Sequence, residues 1–158
     1  LRILFTLVLA VVLLTACTNP DEAIKAEDLY GSADEAISNY FKKNNITSAI
    51  AYNMNTKTIL LVEEGAEAYS IAELIKNQDN RYAVIRRGDS VLIYNSLGAS
   101  WPFSDMEGNP YKVDIKKPGY DNTNDAIFHK EMGLYITMEV KESDQYIRSE
   151  DYEVLKSR

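Results

Sequence analysis

Cysteine and histidine are almost missing from this chain of 158 residues, which has one of each, Cys17 and His129. A single thiol leaves no partner for an intrachain disulfide, so packing has to hold the fold. One histidine without a second cysteine cannot build a structural zinc site. His129 is also the only side chain whose ordinary pKa lies near neutrality. No G-x-S-x-G elbow or S-x-x-K motif accompanies it, so nucleophilic catalysis has no signature here, and His129 is expected at the surface or a sheet edge near a strand start. Cations are scarce too: 17 Lys and Arg stand against 24 Asp and Glu, a formal charge of −7. That deficit excludes nucleic acid as a partner, because its binding rests on clustered Lys and Arg. There is no internal repeat, no low-complexity segment and no implied cofactor.

Long apolar runs are absent except at the start. Arg2 precedes a run from Ile3 to Leu14 that is almost pure hydrocarbon, and Leu14-Thr15-Ala16-Cys17 follows. A basic start, an apolar middle and small residues before a cut are the parts of a secretory signal. The run is shorter than the roughly 20 residues that cross a bilayer core as a helix. Leu14-Thr15-Ala16-Cys17 resembles the lipobox of bacterial lipoproteins. The resemblance implies cleavage between Ala16 and Cys17 and a diacylglyceryl group on Cys17. It also implies a lipid-anchored protein on the extracytoplasmic face of the cell membrane. Two acyl chains hold a protein stably where one does not. Residues 1–16 are then the signal peptide, 17–31 an acidic tether that begins at the lipidated cysteine, and 32–158 a single globular domain. Loss of Arg2 takes the formal charge from −7 to −8, so anionic lipid offers the domain no attraction and the lipid has to anchor it.

Within the domain, Ser32-Ala33-Asp34-Glu35 is a capping box, and Ala33, Ala36, Ile37, Tyr40 and Phe41 follow at helical spacing. Residues 46–63 read as a hairpin. Residues 65–77, with a second capping box at Ser70 and Glu73, read as a short helix. Residues 81–97 read as a hairpin turning at Gly88-Asp89, with both arms central in a sheet. Residues 98–110 read as loop, residues 111–117 and 134–141 alternate as single-faced strands, and a helix follows from Ser143. The sum is an α+β fold: an antiparallel sheet of about five or six strands with the capped N-terminal helix on one face. A β-sandwich is the alternative if the Ser70 segment is not helical.

Four constellations bear on chemistry. Trp101, Phe103, Tyr111 and Tyr120 lie in or beside two loops with Asp105 and Glu107 between them. Flat rings beside carboxylates suit sugars, peptides or cations, although Trp101 and Phe103 turning inward to plug the end of the core is the better account. Arg87-Gly88-Asp89 resembles the adhesion tripeptide read by integrins, and Gly-Asp is also what a tight turn needs. Asp121, Thr123 and Asp125 open like a calcium loop, but Ala126 and Met132 stand where the turn glycine and the bidentate glutamate belong. A polar turn is the better account, so no metal is expected. Finally, any two of the acids could converge as a catalytic pair. The expectation is a non-enzymatic binding or accessory module whose partner is an envelope protein or a cell-wall ligand. The alternative is a carboxylate-dependent hydrolase acting on cell-wall material.

Overall fold

The computed structural model describes residues 24–54, 57–65, 67–119, 126–140, 145–146 and 152–157. The signal segment, Ala16 and Cys17 lie outside the described residues, as do Tyr120, Asp121, Thr123 and Asp125.

The expected N-terminal helix is α1, Ala33–Asn44. The Ser32 hydroxyl accepts the Glu35 N–H at 3.2 Å, and the Glu35 carboxylate accepts the Gly31 N–H at 3.1 Å. Asn45, left-handed at φ 55°, ends the helix. Ala36 and Phe41 are buried against the sheet, with Ile37 and Tyr40 beside them. The strands are β1 (Ser48–Met54), β2 (Lys57–Glu63), β3 (Ala68–Lys76), β4 (Tyr82–Arg86), β5 (Val91–Leu92), β6 (Gly98–Ser104), β7 (Pro110–Lys116), β8 (Ile127–His129), β9 (Leu134–Val140), β10 (Gln145–Tyr146) and β11 (Tyr152–Lys156).

They form two antiparallel sheets. The first has six strands in the order β11-β1-β2-β3-β4, with β5 also on β3. The second has five, in the order β10-β9-β7-β6, with β8 also on β9. The first sheet is covered on both faces, which explains why its strands read as continuous apolar runs. Ala49, Ala51, Leu60, Val62 and Ala72 face α1. Ile50, Tyr52, Ile59, Leu61, Tyr69 and Ile71 share a core with Val113, Ile115, Leu134, Ile136 and Met138 of the second sheet. The α+β expectation of a helix on one face of an antiparallel sheet is met, and the second sheet adds a sandwich to it.

Four local expectations are corrected. Residues 65–77 are not helical, because β3 pairs with β2 on one side and with β4 and β5 on the other. Its capping-box residues serve tertiary partners instead: Ser70 donates to Glu64 at 2.5 Å, and Glu73 accepts the Met106 N–H at 2.8 Å. Residues 81–97 are not a hairpin. Both β4 and β5 pair with β3, so they are one edge line interrupted by a bulge at residues 87–90. At its far end that edge is covered by Tyr30, which exchanges two backbone hydrogen bonds with Tyr82 at 2.8 and 2.9 Å. Residues 98–104 are strand rather than loop. Pro102, which lacks an N–H, is accommodated because β6 is the sheet's edge. The C-terminal segment contributes β10 and β11 in place of a helix.

Gly98 lets β6 approach β7 closely: a Cβ there would lie 2.1 Å from the Ile115 carbonyl oxygen. Gly98→Ala should therefore lower stability by about 1–3 kcal/mol, read as a reduced midpoint in urea with an unchanged slope.

Candidate functional site

The polar residues that converge most closely surround the turn between β6 and β7. Asp105 is 1% exposed. One carboxylate oxygen accepts the N–H groups of Glu107 and Asn109, both at 2.9 Å. The other accepts the Asn109 side-chain amide at 2.7 Å, the Tyr111 hydroxyl at 3.2 Å and the Lys57 ammonium. Lys57 comes from β2 in the opposite sheet and also meets Glu107 at 2.8 Å. Glu73 of β3 reaches the same turn through the Met106 N–H at 2.8 Å. Arg87, in the edge bulge, lies 3.7 Å from Glu73. Its guanidinium donates to the Ser104 carbonyl at 3.0 Å and the Asp105 carbonyl at 2.8 Å.

This cluster is an inter-sheet clamp. Burial pushes the Asp105 carboxyl up, but the hydrogen bonds of Lys57 and Asn109 outweigh it and hold the group down at about 2. Burial works against the Lys57 charge, yet Asp105 and Glu107 hold that ammonium above its usual range. Burial raises Glu73, and the Asp105 charge adds to it against the pull of the Met106 N–H and Arg87. Two carboxyls with opposed shifts resemble an acid–base couple. Glu73 and Asp105, however, are 3% and 1% exposed, and every Asp105 acceptor position is filled from within the fold. The chemistry available to the cluster is therefore the joining of β2, β3, the bulge and the turn.

The aromatic constellation divides. Phe103 and Tyr111 stack at 5.1 Å between centroids and are buried. Trp101 is partly buried against the same core. Of the four rings named from the sequence, two lie in the sandwich interior, Trp101 packs against them from its margin, and Tyr120 is outside the described residues. Arg87, Gly88 and Asp89 occupy the edge bulge, with the cation committed to the clamp. Gly88 has φ 147°, and Gly88 and Asp89 are exposed. Among the described residues, no three His, Cys, Asp or Glu side chains are grouped to hold a metal.

His129 lies at a sheet edge, on β8 beside β9, but it is 1% exposed and so not at the surface. The cause is its place on β8: it pairs with buried Leu134, which carries it into the sandwich. Its Nε2 lies 3.2 Å from the Tyr52 hydroxyl, and its ring meets Tyr152 edge-on at 4.3 Å. No partner for its Nδ1 is found among the described residues. Burial pushes its pKa down to about 4.

Lys57, Glu73 and Asn109 were missed as site residues from the sequence. Asp105-x-Glu107-Gly108-Asn109 carried a usable signal, because an aspartate commonly accepts the amide two residues on. The contributions of β2 and β3 had none, since they meet the turn only across the sandwich.

Comparison of the chain with protein-family models, with curated proteins and with solved structures finds no match.

Two outcomes test these assignments. His129 has a folded pKa near 4 against an ordinary 6.5, so the unfolded chain binds more protons between those values. Stability should fall as pH drops from 6.5 to 4, by up to about 3 kcal/mol. His129→Phe should remove that slope, whatever it does to absolute stability. Separately, Lys57→Met should cost about 3–5 kcal/mol by stranding a buried carboxylate. Adding Asp105→Asn to Lys57→Met should recover part of the loss, as measured by a double-mutant cycle.

Proposed function

We propose that the chain is a membrane-anchored extracytoplasmic lipoprotein whose domain is a non-enzymatic binding or accessory module of the cell envelope. The observation that carries this reading is the position of Cys17. The only thiol of the chain stands at the end of its only long apolar run, in the sequence Leu14-Thr15-Ala16-Cys17. A thiol there is the nucleophile that takes up a diacylglyceryl group, and small Ala16 lets a peptidase approach the bond before it. A partner in the envelope, either a protein or a cell-wall ligand, fits a domain held at the membrane surface with a formal charge of −8.

The binding reading is favoured over the hydrolase by the use made of the strongest acid and base candidates. Asp105 and Glu73 tie the sheets together, and His129 is packed between Tyr52 and Tyr152. Each does structural work that a reacting group would have to abandon. The hydrolase retains one argument, the opposed shifts of Glu73 and Asp105. It would require the β6–β7 turn to open and admit substrate.

The test is fractionation with intact mass. The mature protein should partition with membranes and carry a diacylglyceryl mass on Cys17. Cys17→Ser should be found soluble or as uncleaved precursor. A Cys17→Ser protein that is still cut before position 17 and retained by membranes would sink the lipoprotein reading.

A further inference from the structure

The described residues leave four large apolar side chains well exposed, and three of them fall between positions 92 and 97. Leu92 is 70% exposed, Tyr94 69% and Leu97 54%. The backbone that presents them is pinned. Ile93 between them is fully buried, and its N–H donates to the Glu67 carbonyl at 3.0 Å. The Ser96 N–H closes the turn on the Ile93 carbonyl at 3.1 Å. Lys117 holds the other side: its N–H donates to the Leu97 carbonyl at 2.7 Å and its ammonium to the Tyr94 carbonyl at 3.2 Å. The same ammonium pairs with Glu67 at 2.7 Å. A turn fixed at so many points keeps its apolar side chains in water by construction. Such a cluster marks a contact surface.

The fold also places this tip relative to the anchor. Ile24 lines a groove of about 260 Å³ with Val84 and Arg86 of β4. Arg86 pairs with Ala72, and Leu92 pairs with Ala68 on the same strand. Four strand steps at roughly 3.4 Å put the tip about 14 Å along β3 from that groove. Residues 18–23 lie between Cys17 and Ile24, and seven residue steps span at most about 25 Å. An acylated Cys17 therefore holds the β4–β5 edge close to the bilayer, and the apolar tip belongs to that edge.

We propose that the Leu92–Tyr94–Leu97 tip is the domain's second contact with the lipid bilayer, entering the headgroup region beside the anchored cysteine; this rests on the lipoprotein reading. Projecting leucines can bury their hydrocarbon there, and a tyrosine suits the interface because one end of its ring is apolar and the other polar. The contact orients a domain whose net negative charge gives it no electrostatic hold on anionic lipid. A protein partner is the competing occupant, and the experiment separates the two.

Mature protein carrying Leu97→Trp is reconstituted in vesicles of phosphatidylethanolamine and phosphatidylglycerol, with native protein as the blank for Trp101. The added indole should emit to the blue of its value in detergent-free water and be quenched by phospholipid brominated on its acyl chains. Glu153→Trp, on the far edge strand β11, should stay unquenched. Tyr94→Trp repeats the measurement should Leu97→Trp fold poorly. A second arm starts from the chain beginning at an unmodified Cys17, coupled through its thiol to a maleimide phospholipid. That arm supplies the anchor chemically, so a cellular Cys17 found without lipid refutes the lipoprotein reading while the tip is still measured. An indole at the tip left unquenched in both arms overturns the bilayer contact and assigns the patch to a protein partner.

Discussion

The structure depends on the first sheet being buried on both faces at once. Its middle strands present Ala49, Ala51, Leu60 and Val62 to α1, and Ile50, Tyr52, Ile59 and Leu61 to the second sheet. Small residues dominate β1 on the helix side, where a helix has to approach closely. Larger ones fill the sandwich side, where two sheets meet about 10 Å apart. Every other element is placed by that division. The second sheet needs only one apolar face, so β7 and β9 alternate while β1 and β2 do not.

Apolar packing by itself would let two sheets slide, because the hydrophobic effect is not directional. The Asp105 turn supplies direction. A carboxylate that accepts from two backbone amides, an amide side chain, a phenol and an ammonium has one position in which all are satisfied. Lys57, Glu73 and Arg87 carry that position into β2, β3 and the edge bulge. The arrangement also accounts for the opposed shifts of the Asp105 and Glu73 carboxyls. Their shifts come from burial and from groups that hold the fold together, which is the ordinary confounder when perturbed pKa values are used to find active sites.

The clamp reaches the β4–β5 edge through Arg87, and exposed features lie on either side of that grip. The β4–β5 edge carries the bulge with Gly88 and Asp89, the groove under Ile24 and Val84, and the apolar tip at Leu92, Tyr94 and Leu97. The expected tether also meets this edge, since Tyr30 pairs with Tyr82 and residues 24 and 25 line the groove. The contact surface proposed along this edge differs from the loop-borne aromatic site that Trp101, Phe103 and Tyr111 suggest. Two of those rings are core, and the third leans on it.

By itself the sequence determined whatever rests on short-range pattern. Ser32 and Glu35 specified the start of α1, the alternation from Tyr111 to Ile115 specified which face of β7 is buried, and the single thiol left no partner for an intrachain disulfide. It also set the only argument for an anchor, since Cys17 and the run before it lie outside the described residues. Tertiary structure decided the rest. Ser70 and Glu73 have the spacing of a helix cap, but neighbours on both sides offered β3 a full ladder of hydrogen bonds and overrode that preference. Gly88-Asp89 has the chemistry of a hairpin turn, yet both flanking segments pair with β3, so the same residues form a bulge. His129 reads as a surface or edge residue because nothing local records that pairing with Leu134 turns it inward. In each case local preference is worth little beside the burial and hydrogen bonding that distant strands supply, and which strands those are is written only in the folded chain.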